Sequence, residues 1–110
     1  MESQKKLELI LNGLEKVHAR PHMYLSKDMG EIGNFLIGYE MACTLLLDIP
    51  PFNPNAARVV LQEEGLDPDG PDPIIQMRRS GVTEEEIVVR RLKISMEIWK
   101  RTLQGDGSST

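Results

Sequence analysis

The sequence predicts an all-α protein, a compact bundle of about five helices with a central apolar helix near 29–48 and a long C-terminal helix near 84–103. Three observations carry that prediction. Apolar residues return at three- and four-residue spacing through most of the chain. Proline, glycine and short polar residues cluster where those runs stop. No run of strand length alternates with period two, save a brief one around Val59–Leu61. The length of 110 residues suits one domain, assigned to 1–104, with 105–110 expected to be a disordered polar tail.

The first helix is expected from about Ser3 to His18, with Leu7, Ile10, Leu11, Leu14 and Val17 on one face. Pro21 stops it, because the residue before a proline is pushed out of the helical region. Asp28 reads as an N-cap with Glu31 three residues on, the pattern of a capping box. The helix that follows, from Met29 to about Asp48, carries Ile32, Phe35, Leu36, Tyr39, Ala42, Cys43 and Leu46 as its main apolar face. Ile37, Met41 and Leu45 lie on its other side, and a helix apolar on most of its circumference is expected at the centre of a fold. Gly33 and Gly38 lower its helix propensity, which predicts close helix crossings there.

Pro50 and Pro51 end that helix, and Asn53-Pro54 opens the next, which runs to Glu64 and is closed by Gly65. Leu66–Pro73 is a rigid acidic connector. Asp72-Pro73 opens a short helix to about Ser80, closed by Gly81. Thr83 is the clearest cap in the chain, with Glu86 at the third helical position and Val82 and Ile87 as the flanking staple. In the last helix Val88, Val89, Leu92, Met96, Trp99 and Leu103 cover one side. Ile87, Ile94 and Ile98 form a second stripe roughly opposite. Two stripes predict two neighbours, and these three isoleucines are the candidate interface of a homodimer.

Composition is that of an ordinary globular protein, 40% hydrophobic and 27% charged. The net charge of −4 is uneven: Arg78–Arg101 holds seven basic and four acidic residues, a net of +3, against −7 for the rest. Cys43 is the sole cysteine, so no intramolecular disulfide forms, which fits a reducing compartment. The N-terminus lacks the layout of a signal peptide, and the charge-free apolar stretch Ile32–Tyr39 is too short to cross a bilayer. The expected location is the cytoplasm, without membrane attachment.

Chemistry finds few residues to work with. His18 and His22 have the four-residue spacing of helical metal ligands, but Pro21 between them breaks the helix, and no metal or other cofactor is expected. Cys43 falls on an apolar helix face, where a thiol is inert packing. Glu84, Glu85 and Glu86 suit the positive end of a helix dipole rather than catalysis. Neither a phosphate-binding glycine loop, a Gly-x-Ser-x-Gly elbow nor zinc-finger spacing occurs. No enzymatic activity is expected.

A nucleic-acid reading stands as the alternative. Residues 74–103 can be taken as two helices and a turn, and Leu92–Ser95, "LKIS", resembles the turn of resolvase-type helix-turn-helix segments. A recognition helix would then offer Met96, Glu97, Lys100 and Arg101 to a major groove. Val89 and Lys93 depart from that pattern, where alanine and glycine are usual, and an unbroken helix from Thr83 to Leu103 fits the same residues.

Two resemblances fall on the segment after the first helix. "LEKVHARPHMYLS", Leu14–Ser26, resembles the opening of the ATPase domain of gyrase B-type topoisomerases. Glu40 falls near the place of that family's catalytic glutamate, but Thr44 stands where its magnesium-binding asparagine is needed, and the glycine-rich nucleotide motifs do not follow. ATP hydrolysis is therefore not expected. Arg20, Pro21, Met23, Tyr24 and Leu25, then Phe35, Leu36, Gly38 and Tyr39, resemble a pattern of small, mostly uncharacterised bacterial proteins, some of them immunity- or antitoxin-like. His22 and Ser26 depart from it where glycine is common.

The resemblance implies a non-enzymatic interaction protein of the immunity type. The acidic majority suits a basic protein partner and speeds encounter with it. The candidate partner-binding residues are Arg20, His22 and Tyr24, polar and aromatic on a short rigid loop. Their competing role is structural, with Arg20 bonding helix-end carbonyls and Tyr24 anchoring the turn.

Overall fold

A computed structural model describes residues 2–20 and 32–104. Five helices occur among them: α1 (Glu2–Ala19), α2 (Ile32–Leu46), α3 (Pro54–Glu63), α4 (Pro73–Arg79) and α5 (Glu84–Gln104). No strand occurs among the described residues. The all-α bundle read from the sequence is the fold observed. The Asp28–Glu31 capping box, the start of the helix expected from Met29 and the polar tail 105–110 lie outside the described residues.

The caps act as their residue types require. The Asn53 side-chain oxygen accepts from Asn55 N (2.8 Å) and Ala56 N (3.2 Å), and Pro54 takes the first helical position of α3. Asp72 repeats this at α4, accepting from Ile74 N at 2.8 Å. Thr83 Oγ1 accepts from Glu86 N at 3.2 Å to open α5. Gly65 and Gly81 end α3 and α4 at φ 78° and 86°, where a side chain is strained. The connector between α3 and α4 is held by Gln76, which donates to the Asp67 and Pro71 carbonyls and accepts from Asp67 N.

The hub of the bundle is α5, which packs against all four other helices. Its length explains this: 21 residues at about 1.5 Å each give roughly 30 Å of helix to cover. Leu92 and Trp99 are almost fully buried in the main core with Leu7, Ile10 and Leu14 of α1 and Met77 of α4. The Phe52 ring stands edge-on to Trp99, centroids 4.7 Å apart, and Thr102 Oγ1 accepts from Asn53 N. These two contacts bind the α2–α3 connector to α5.

The sequence placed α2 at the centre, and the structure corrects this. Only one of its faces is covered: Ile32, Leu36 and Cys43 are buried, with Phe35 and Tyr39 half-buried beside them. The Tyr39 hydroxyl donates to the Ile10 carbonyl at 2.8 Å. A methyl group on Gly13 would collide with that hydroxyl, so a glycine of α1 makes room for the Tyr39 side chain. Gly33 does allow the near approach of Ile74, whose Cδ1 lies 3.1 Å from where a Cβ would stand. Gly38 instead faces open space.

Candidate functional site

The loop residues singled out by the sequence are only partly in view. Arg20 sits exposed at the end of α1, its backbone N–H donating to the Lys16 carbonyl. His22 and Tyr24 lie outside the described residues.

The structure places Ile87, Ile94 and Ile98 inside the chain's own fold, 1%, 1% and 4% exposed. Ile87 belongs to the main core. Ile94 and Ile98 pack on Val60 of α3, flanked by Phe52, Ala57, Leu61 and Leu66. The second stripe of α5 is real, but α3 covers it, and a second copy has no access to it.

Residues 84–104 form one helix, with no turn at Leu92–Ser95. Burial enforces the continuity, because Leu92, Ile94 and Ser95 all point inward. Several basic residues of the 78–101 stretch, Arg101 and Lys100 of the supposed recognition helix among them, are already paired. Arg101 pairs with Glu63 (2.7 Å) and Glu97 (3.4 Å), Arg90 with Glu64 (3.4 Å) and Arg78 with Glu84 (2.8 Å). Carboxylates supplied by α3 thus offset the local surplus of positive charge on α5.

Other polar groups serve the fold. Glu40, near the catalytic place in the gyrase-like reading, accepts from Phe52 N at 3.0 Å. Burial pulls the Arg91 guanidinium below its usual pKa, against the opposing fields of Asp72 and Glu40, and it donates to Ser95 Oγ at 3.0 Å. Burial pushes the Cys43 thiol up, away from the reactive thiolate. Burial first, and Cys43 second, pushes the Tyr39 phenol up to about 12. Among the described residues no group of three or more His, Cys, Asp and Glu is placed to hold a metal ion. A groove of about 420 Å³ between α1, α3 and α5 is lined by Glu15, Glu63, Glu64 and Glu97 together with Lys93 and Lys100. Its lining carries four carboxylates and two ammonium groups, a net of −2.

The surface that stands out is the outer side of α2. Ile37, Met41 and Leu45 recur every four residues and are 62%, 59% and 75% exposed, and Leu46 at the helix end is 81% exposed. The three stripe side chains offer on the order of 350 Å² of apolar surface, within the range of the largest patch on a typical monomer and often a binding site. Two shallow hollows adjoin α2, and the second of them borders the stripe. One, about 250 Å³, is lined by Tyr39, Ala42, Cys43, Leu46 and Leu47. The other, about 230 Å³, is lined by Ile37, Glu40, Met41, Thr44 and Pro51. The sequence had named Ile37, Met41 and Leu45 as a second apolar side. What it lacked was any sign that no other helix would cover them.

Among known protein families, curated proteins and solved structures, none matches this chain. No described helix is long and apolar enough to cross a membrane.

Proposed function

We propose that the chain is a non-catalytic protein-interaction domain, of the immunity type its Arg-Pro-x-Met-Tyr-Leu pattern resembles, and that it holds another protein on the open face of α2. One observation carries this reading: Ile37, Met41, Leu45 and Leu46 remain exposed on a helix whose opposite face is firmly packed. Exposing that much apolar surface opposes solubility, and a partner that covers it recovers the hydrophobic term. Beside it Glu40 accepts from Phe52 N and Thr44 donates to the Met41 carbonyl, so the apolar stripe is its main recognition element. The reading places the protein in a reducing cytoplasm, where Cys43 stays a thiol. Ile87, Ile94 and Ile98, buried in the chain's own core, take no part in holding the partner.

A photo-reactive amino acid in place of Met41 tests the reading. Irradiation in cells that make the protein is expected to give one discrete protein adduct, identified by mass spectrometry and absent with the probe at Glu85. The complex rebuilt from purified components should weaken at least ten-fold with Met41→Lys. Adducts formed equally from both positions, or from neither, contradict the reading.

A further inference from the structure

We infer that the occupant of the α2 face is an amphipathic helix whose apolar stripe is flanked by lysine or arginine. The inference rests on the docking reading above and names the chemistry of the partner.

Shape argues for a helix. The stripe Ile37–Met41–Leu45 forms a ridge beside the hollow that Ile37, Glu40, Met41, Thr44 and Pro51 line, a ridge-and-groove surface that a second helix meets with side chains at i, i+3, i+4 and i+7. From Ile37 to Leu45 the ridge rises about 12 Å, roughly two turns of a partner helix. Gly38, exposed and with nothing within 4 Å of where a Cβ would stand, leaves the backbone open to close approach between the stripe and Leu46.

Charge argues for a basic one. Among the described residues 32–57 the charged side chains are two carboxylates, Glu40 and Asp48, with no Lys, Arg or His. Asp48 is exposed at the end of the ridge, and Glu40 lines one hollow. Arg91 lies in the field of Glu40 but is half-buried and donates to Ser95 Oγ. A second copy of this chain would set the same carboxylates against each other, at a cost that specific interfaces avoid. An anionic bilayer is repelled for the same reason. A partner with cations beside its apolar stripe satisfies both features, and long-range attraction speeds its encounter.

The test uses the full chain, isotope-labelled at Ile, Leu and Met methyl groups, and three synthetic peptides of about 18 residues. The first has a leucine stripe flanked by lysine. The second has the same stripe flanked by glutamate, and the third the lysine composition in scrambled order. The lysine peptide is expected to shift the methyl signals of Ile37, Met41 and Leu45, and to bind at least ten-fold tighter than either other peptide. Added salt should weaken it, and Met41→Lys or Ile37→Ser should reduce its affinity at least ten-fold while leaving the thermal melt unchanged. Equal binding of lysine and glutamate peptides at these methyls overturns the basic partner but leaves the docking reading standing. Binding of no peptide overturns the inference. Sedimentation as a dimer that Met41→Lys dissociates then identifies a second copy as the occupant. Methyl contacts from the stripe to Met23, Leu25 or Met29 identify the chain's own segment instead, and remove the docking reading as well.

Discussion

Two helices of this protein are apolar on both sides, α2 and α5, and the fold treats them oppositely. Helix α5 buries both sides: Trp99 and Leu92 in the main core, Ile94 and Ile98 beneath α3. Helix α2 buries one side and leaves the other to solvent. Sequence periodicity reports that a side is apolar without saying which element covers it. Position in the topology decides. The long last helix is reached by every other helix, whereas no described helix remains to close the outer side of α2.

Truncation is expected to separate the two stripes most widely. Ile98→Ala should cost about 2–5 kcal/mol, read from the denaturant midpoint, because its cavity opens under α3. Leu45→Ala should change stability by less than about 0.5 kcal/mol, as exposed substitutions do. Similar losses at both positions would erase the distinction between the helices. Dependence of the Ile98→Ala loss on protein concentration would return that residue to a subunit interface.

A second contrast concerns how α2 is fastened on its packed side. Gly13→Ala should destabilise by about 1–3 kcal/mol despite the better helix propensity of alanine, since the new methyl meets the Tyr39 hydroxyl. Combined with Tyr39→Phe, the loss should shrink well below the sum of the single changes, because the colliding atom is gone. Strict additivity in that cycle would show that Gly13 and Tyr39 do not meet.

Tyr39→Phe alone should cost about 1 kcal/mol, the typical worth of one hydrogen bond. It should also change the response to alkali. The folded protein holds the Tyr39 proton up to about 12, against an ordinary value of 10.0. Its contribution to stability is therefore full below about pH 10 and is lost as the pH rises through about 12. The wild-type midpoint should fall over that window more steeply than that of Tyr39→Phe. Parallel curves would place the phenol in water.

The element boundaries were legible because their signals are local. Asn53-Pro54, Asp72-Pro73, Thr83, Gly65 and Gly81 each act within a few residues, and each cap or turn forms as read. Helix α2 ends at Leu46 rather than Asp48, with Asp48 at φ 56°, a conformation that the short polar side chain of aspartate tolerates. What the sequence could not supply was long-range. Glu40 finding Phe52, Gly13 finding Tyr39 and α3 settling over Ile94 and Ile98 all depend on how helices are arranged in space. The candidate site suffered most from this. Its residues were recognised as apolar and assigned to packing, while the isoleucines of α5 were assigned to an interface.

The most direct test of the open α2 face is the relaxation that a soluble gadolinium probe induces in methyl signals of the intact protein. Ile37, Met41 and Leu45 are expected to broaden strongly, while Ile87, Ile94 and Ile98 stay sharp at every protein concentration tried. Protected methyls at Ile37, Met41 and Leu45, or broadened ones at Ile94 and Ile98, would contradict the account.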